Sequence, residues 1–518
     1  MKRIAFILCI VSFIIYNKSK SQDYPRIYGG NFHAIVKDVH ETYDNGYIIA
    51  GLGQVPYGFS RFSWIIKIDI NGNLIWDKKI GDWTHKYYLS GSDVTNDFGL
   101  IYSGATTKYA GGYNPLFVKM DACGDIEWCK VLVSDDDNYS TGVINLQDGN
   151  YVGMLKYYGD GDQYARISLV KLDQTGEPVW IQRLAQEDSL ITNEEGDHLL
   201  LTSENNFLVS GRCFYPNMNA YYILTDTLGN NIWDIKWNMI TGISFQSTEL
   251  TVGRFYSIGY CVLPGTNNLP VIFKFDQSGN TLGSYLLMGD TIRGGGRSIS
   301  KHNDSTLIAG FTWSEYADDN WQSEVVIIDT LGNHIHRRFL LNEPDAPDDI
   351  IVTNDGKILV VVSAMVNAYV DIYLWKMNAN LEDDTLYTQP LTYDSLCPFE
   401  IQSDTMDLDC DLFVNIDELP TREEYESTVK IYPNPARDWV ALTLPDVVAE
   451  GKVEIAVYDV FGREVETGRG GDEEMEGQGE VPVNRMLVLD VSGYPPGMYV
   501  VVVTDRKGRR YTGKVIVR

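Results

Sequence analysis

Two histidines, a recurring aspartate and a handful of cysteines are the residues whose chemistry comes first. His334 and His336 stand two apart, so on a strand both face one side and offer two imidazoles to a metal, or simply pack there. Asp69-Ile70-Asn71-Gly72-Asn73 begins like a calcium loop but lacks the later ligands and the distal Glu, and reads better as a turn. Asp135–Asp137 is a run of three acids, read as solvated, with calcium the lesser alternative. The chain has no His-Glu-x-x-His helix, no Gly-x-Ser-x-Gly elbow and no phosphate loop. No catalytic, cofactor or metal site is expected on these grounds.

Composition narrows the classes further. In 518 residues, 42 Lys and Arg face 71 Asp and Glu, a net charge of −29. That balance argues against nucleic acid or an anionic membrane as partner, since both need a basic face. An apolar share of 44%, with 33 Tyr and 47 Gly, favours a folded, β-rich and turn-rich chain. Residues 1–21 read as a secretory leader: Lys2 and Arg3, an apolar run Ile4–Tyr16, then Ser19 and Ser21 at a cut before Gln22. The run is shorter than the roughly 20 residues a membrane span needs, and no second run approaches that length. Loss of the leader's four basic residues takes the charge to −33. Cys9 leaves with it, and Cys123, Cys129, Cys213, Cys261, Cys397 and Cys410 remain. An even number in an exported chain is compatible with disulfides, Cys397–Cys410 across a short loop being the preferred pair. With no CxxC and no Cys/His cluster, zinc is the weaker alternative.

The elements that position these residues are repeats. WIIKIDINGNLIWDKK (Trp64–Lys79) returns as LFVKMDACGDIEWCK (Leu116–Lys130), LVKLDQTGEPVWIQR (Leu169–Arg183) and YILTDTLGNNIWDIK (Tyr222–Lys236). Weaker copies start at Val271, Val325 and Leu374. The turn residues Asp69, Asp121, Asp173, Asp226, Asp276, Asp329 and Asn378 are spaced 52, 52, 53, 50, 53 and 49 apart. A second turn signal precedes most copies, as in Asp44-Asn45-Gly46 and Asn354-Asp355-Gly356. Two hairpins per unit make four strands, the pattern of a β-propeller blade. The expectation is an all-β chain: a seven-bladed β-propeller over 22–390, a linker over 391–427, and a small β-sandwich over 428–518.

Local physics assigns the repeated residues structural work. The Asp carboxylate caps backbone N–H groups of its turn, a following Gly tolerates positive φ, and Trp76, Trp128, Trp180 and Trp233 pack between neighbouring blades. Asp23–Tyr28 is expected to add the outer strand of the last blade and close the ring. The channel-facing first strands HAIVKDV, YSTGVIN, SISKHN and DDIIVTN share no acid/His constellation. Binding of an extracellular glycan or protein is therefore favoured over catalysis by a propeller lyase, lactonase or glycoside hydrolase. The ligand is expected at the Tyr-, Gly- and Asn-rich loops Gly53–Arg61, Lys108–Asn114, Tyr157–Tyr164 and Tyr215–Ala220.

The repeat region resembles the quinoprotein-like and kelch-like propellers of secreted Bacteroidota proteins, over about 22–390. Its Asp-x-x-Gly-x-x-x-Trp phrase is similar to the blade motif of pyrroloquinoline-quinone dehydrogenases. That family's Ala before the Asp and its Thr-Gly-Lys turn are not kept together, so quinone binding is not implied. Asp394-Ser395-Leu396 and Asp404-Thr405-Met406 resemble Bacteroidota O-glycosylation triplets, which also arise by chance.

The last ninety residues carry the most specific motifs. Tyr432-Pro433-Asn434-Pro435 opens the segment, Tyr458-Asp459 with Gly462-Arg463 follows, and Gly497-Met498-Tyr499 and a basic finish around Lys514 and Arg518 end it. An acidic, Gly-rich insertion lies at Gly468–Glu480, and charge over 428–518 is nearly balanced, 12 basic against 14 acidic residues. These blocks, in this order, resemble the C-terminal sorting domain of the type IX secretion system. The resemblance implies the secretion machinery as partner, passage across the outer membrane after Sec export, and a secreted or surface-attached product.

Overall fold

The computed structural model describes residues 24–518 except 57–59, 83, 110–111, 135, 159–162, 185–192, 216, 238–240, 316–319, 367, 415–427, 445–452, 460–462, 471–485 and 505–509. The expected leader, Asp135, Gly462 and most of the acidic insertion lie outside the described residues. Among those described, every regular element is a strand.

Consecutive strands pair antiparallel in fours. The first sheet is His33–Glu41, Tyr47–Gln54, Arg61–Ile68 and Leu74–Ile80; the second is Tyr87–Val94, Leu100–Thr106, Asn114–Met120 and Ile126–Val133. The pattern repeats from Tyr139 to Arg183, Glu194 to Lys236, Thr241 to Leu286 and Ile292 to Leu341. The last sheet takes Asp349–Val352, Ile358–Ala364 and Asp371–Met377 from one end of the region and Arg26–Tyr28 from the other. Arg26 pairs with Leu374 and Tyr28 with Ile372, so Arg26–Tyr28 is the outermost strand of that sheet.

Sheets stack face to face through apolar layers. Ile65 and Trp76 of the first sheet pack with Tyr102 and Val118 of the second. Likewise Leu359, Val361 and Leu374 of the last sheet pack with Val36, Ile49 and Ile66 of the first. Second and third strands are buried along almost their whole length, as at Leu100–Thr106 and Asn114–Met120. This is a propeller-like arrangement, with first strands innermost and fourth strands at the rim.

The Asp turns have one geometry. Asp69 Oδ1 accepts the N–H groups of Asn71 and Asn73, both at 2.8 Å, and Asp226 does the same for Leu228 and Asn230 at 2.9 Å. The Gly three residues on sits at positive φ, +77° at Gly72 and +80° at Gly176. It also makes room for the neighbouring sheet's Trp: a Cβ on Gly176 would stand 2.7 Å from the Trp128 ring, and one on Gly279 would stand 3.1 Å from Trp233. Trp76 and Trp180 are 2% and 3% exposed. Trp128 and Trp233 are half-buried and donate Nε1–H to the carbonyls of Gln174 (3.1 Å) and Gln277 (2.7 Å) on the next sheet.

The cysteine pairing differs from the expectation. Cys123 joins Cys397 and Cys129 joins Cys410, with Cα separations of 5.5 and 4.6 Å. Cys397 and Cys410 cannot meet because the chain between them is laid across two rim strands. Asp404–Met406 pairs parallel with Lys78–Ile80, and Asp411–Val414 pairs parallel with Lys130–Val133, so each Cys faces the sheet beneath it. The stretch read as a linker thus supplies two added rim strands, one on each of the first two sheets. Cys213 and Cys261 are buried free thiols.

Residues 428–518 form a separate pair of sheets. Lys430–Tyr432, Trp439–Thr443 and Met486–Asp490 make one; Glu464–Gly470, Val453–Asp459, Gly497–Thr504 and Arg510–Val517 make the other. Val440, Leu442, Leu489, Val457, Val501 and Val515 fill the space between them.

Trp76 bridges two sheets and reaches Asp394 Oδ2 with its Nε1–H at 3.1 Å. Trp76→Ala is expected to lower stability by about 3–5 kcal/mol in urea unfolding, the range for a buried aromatic truncation. A loss under about 1 kcal/mol would show that the inter-sheet layer does not depend on it.

Candidate functional site

The two ends of the ring of sheets differ. Every Asp turn, and every turn of the Thr42–Gly46 kind, lies at one end, because first and third strands run toward it. The opposite end holds the connections between second and third strands, which vary in length and composition. The four loops singled out from the sequence are among them, with 57–59, 110–111, 159–162 and 216 outside the described residues. Two cavities that share residues, of about 460 and 220 Å³, lie near that end, while another of about 400 Å³ lies between the first and last sheets, lined by Arg26, Tyr28, Gly72 and Lys79.

First strands carry a β-bulge at a common level. Pairing skips one residue between Val36 and Asp38, Leu89 and Gly91, Ser140 and Gly142, Gly196 and His198, Ser244 and Gln246, and Gly296 and Ser298. The extra residues are Lys37, Ser90, Thr141, Asp197, Phe245 and Arg297. Asp348 takes the matching place in the last sheet, its N–H bonded to the Val361 carbonyl just ahead of the Asp349–Val361 pair. A bulge frees its side chain from the strand's alternation and re-aims it. Six of these seven residues, Thr141 excepted, line a cavity of about 220 Å³ together with Asp38, His198, Arg212 and Gln246.

The throat is strongly charged. Arg297 Nε lies 3.1 Å from Asp348 Oδ1, and Arg212 lies 3.1 Å from Glu195 and 3.8 Å from Asp197. Lys37 makes no hydrogen bond or ion pair among the described residues. The Oδ2 atom of Asp197 is buried and makes no hydrogen bond. Burial pushes the Asp197 carboxyl up to about 7 against the pull of Arg212, and holds His198 down at about 4. Lys37 is lowered by burial and then by Arg297. Above the throat a wider vestibule of about 460 Å³ shares Phe245 and Arg297 with it and adds Tyr260, Trp321, Asn267, Asn268, Arg293 and the bare backbone of Gly294–Gly296. The Arg293 guanidinium stands 5.1 Å over the Trp321 ring.

One position past the bulge, side chains turn to the neighbouring sheet. Asp38 Oδ2 accepts the Ser92 N–H (2.6 Å), Asp349 Oδ2 the Val39 N–H (3.0 Å) and Gln246 Oε1 the Ile299 N–H (2.7 Å). His198 Nδ1 lies 3.4 Å from the Ser247 nitrogen, and further along the second sheet Asp93 Oδ2 accepts the Asn145 N–H (2.9 Å). Gln246 also donates to Asp349 Oδ1 at 3.1 Å.

This corrects the sequence reading that the channel strands share no acid/His constellation. Asp93, Asp197 and His198 sit on two strands outside the four compared, and the bulge moves Lys37 and Asp197 out of the register that alternation implies. Val36-Lys37-Asp38 and Glu195-Gly196-Asp197-His198, charged runs inside first strands, were the available signal. By contrast Asp69, Asp121, Asp173, Asp226, Asp276, Asp329 and the four Trp lie away from the throat, at turns and between sheets. His334 and His336 lie on a rim strand, and no group of three metal-binding side chains occurs among the described residues.

In the C-terminal pair of sheets the motif residues hold the last strand. Asn434 Nδ2 donates to the Lys514 carbonyl and its Oδ1 accepts the Ile516 N–H, both at 2.9 Å, while the Ala436 N–H bonds to the Ile516 carbonyl at 2.7 Å. Asp459 Oδ1 accepts the Arg463 N–H (2.9 Å), and the Tyr499 hydroxyl donates to the Pro495 carbonyl (2.6 Å). Tyr432 is 76% exposed, and Lys514 and Gly497 are exposed. Residues 430–518 match the family described as a secretion system C-terminal sorting domain. These residues are a type IX sorting domain. The sorting domain directs the protein to the cell surface or the medium, and no helix among the described residues is long and apolar enough to cross a membrane.

No curated protein matches the chain at a significant level. Among solved structures it is similar to PorZ, an essential surface component of the type-IX secretion system of Porphyromonas gingivalis, at 10% identity over 93% of this chain and 86% of that one (TM-score 0.20). An ancestral GH74 enzyme matches at 9% over 95% and 63% (0.42), and a protein of unknown function from Bacteroides caccae at 10% over 51% and 94% (0.32). With TM-scores below 0.5, the architecture is read from strand pairing alone.

Asp349 is 6% exposed, and burial, with Asp38 beside it, lifts its carboxyl to about 6. An unfolded Asp titrates near 3.9. The folded state therefore binds the extra proton between about pH 4 and 6, and this group's contribution to stability falls as pH rises through that window. Asp349→Asn removes the titration, so urea midpoints of variant relative to parent should climb from pH 4 to 6 and run parallel above. A constant offset across that range would refute the burial of a titrating carboxyl here.

Proposed function

We propose that residues 22–390 form a closed seven-bladed ring that works outside the cell as a non-catalytic binding module for glycan or protein, delivered there by the sorting domain. Residues 1–21 serve as the Sec leader and about 391–427 as the connection between ring and sorting domain. The seven-blade count is supported by the spacing of the turn residues and by a cycle of inner-strand contacts that returns from Asp349 to Val39. The observation that carries the binding reading is the division of labour between the two ends. One end repeats a single turn chemistry; the other collects irregular loops, re-aimed bulge residues and two joined cavities.

A second reading, a propeller hydrolase or lyase, draws on the acids of the throat. Asp38 and Asp349 are both lifted to about 6, burial first, and Asp197 to about 7, values suited to a general acid. Asp38 Oδ2 and both oxygens of Asp349 accept hydrogen bonds from neighbouring strands, whereas Asp197 Oδ2 is buried with none. One such group favours holding a ligand over cleaving it.

The export part is tested by ending the chain at Ser427. The truncated protein should accumulate in the periplasm while the full chain reaches the surface or medium, and normal export of the truncated form would overturn the assignment. For the ring, the purified full chain is offered a panel of polysaccharides and proteins, with binding and product release followed in parallel. Saturable binding without turnover is expected; turnover lost on Asp197→Asn would establish the enzyme instead.

A further inference from the structure

Two unmatched groups stand in the throat. The Lys37 ammonium has no hydrogen-bond or ion-pair partner among the described residues, and Asp197 Oδ2 is buried without a hydrogen bond. A buried polar group with no partner is costly, as Asp197 Oδ2 is, and half-buried Lys37 brings an unbonded donor to the same 220 Å³ space. Both sit on bulges, where side-chain direction is set independently of the strand. Neither is used to cap a neighbouring strand, unlike Asp38, Asp349 and Gln246 one step along. The wider vestibule contributes aromatic faces from Trp321 and Tyr260 and amide groups from Asn267 and Asn268.

We infer that this throat and vestibule take the end of a saccharide chain, its terminal ring hydrogen-bonded between Lys37 and Asp197 and the following rings stacked along Trp321. The inference rests on the binding reading above and names its ligand class. A sugar ring offers hydroxyls that accept from an ammonium and donate to a carboxylate on adjacent carbons, so one neutral group satisfies both. A peptide terminus carries one sign of charge and satisfies only one of them. Aromatic faces beside amides suit the alternating C–H and hydroxyl surfaces of a sugar. Gln246, which lines the throat, hydrogen-bonds Asp349 at 3.1 Å across the inner strands, and the chain is inferred to enter by its end.

The test titrates the full chain with linear neutral oligosaccharides from monomer upward, with the same oligomers blocked by methylation at either terminal ring, and with tripeptides and free amino acids. Affinity should rise with length until the vestibule is filled, and blocking one particular end should abolish binding. Lys37→Met breaks no hydrogen bond or ion pair, and Asp197→Asn alters only the 3.8 Å pairing with Arg212, so both should fold and unfold close to the parent while losing about tenfold or more in affinity. Trp321→Ala should flatten the length dependence yet leave the end preference intact. Binding unaffected by Lys37→Met and Asp197→Asn, indifference to end-blocking, tripeptide binding in place of saccharide, or no saccharide binding at millimolar concentration would each overturn the inference. Cleavage of the oligomers would instead refute the non-catalytic reading and leave the site in place.

Discussion

The innermost strand of each sheet has an edge with no further strand to pair with. Its N–H groups face a narrow space among other backbones, where water is scarce and an unmet donor costs free energy. The protein meets this with side-chain acceptors reaching from one sheet to the next: Asp349 to Val39, Asp38 to Ser92, Asp93 to Asn145, Gln246 to Ile299. These contacts fix how the sheets are set about their common axis. They also account for carboxylates in the channel whose pKa values are raised by burial. Their charge costs burial energy, and hydrogen bonds to the orphan donors offset part of it.

Once that capping is assigned to one position, its neighbour is released. The bulge inserts a residue that takes no part in the ladder, and at that level the sheets present Lys, Ser, Thr, Asp, Phe, Arg and Asp. Structural positions elsewhere repeat because their task repeats, as with Asp at the turn and Gly at positive φ. A ring of positions with common geometry and unlike chemistry has no common structural task, and its diversity is what a binding site requires. The two ends of the ring divide accordingly.

What could be read from the chain follows from the range of each interaction. The Asp turn is closed within five residues, so Asp69 to Asn73 announces itself and its period announces the sheets. The sorting domain is legible for a similar reason: Asn434 must meet the backbone of the last strand, and the blocks that do this keep their order. The throat is not local. It gathers single residues from strands some fifty residues apart, each displaced by a bulge that breaks the alternation from which facing is judged. The disulfides are still less local, joining cysteines 274 and 281 residues apart, and nearness in sequence pointed to Cys397–Cys410.

Those disulfides belong to the same edge problem seen from outside. The rim strands also have an open side, and the chain covers it differently in different sheets. His334–Leu341 alternates half-buried and exposed residues and carries Arg337 and Arg338, paired to Glu324 (2.6 Å) and Asp383 (2.7 Å). Charge on an edge discourages a foreign strand from adding to it. The first two sheets receive a strand of their own, Asp404–Met406 on one and Asp411–Val414 on the other, with Lys78 and Lys130 paired to Asp404 (3.0 Å) and Asp411 (2.8 Å). Strands this short hold weakly by backbone pairing alone, and the two disulfides fasten them. Such bonds form and persist in oxidising compartments and are rare in the cytosol, so this covering suits an exported chain. The export address at 430–518 and the fastening of 397–410 thus agree: both suit a chain that ends outside the cytoplasm.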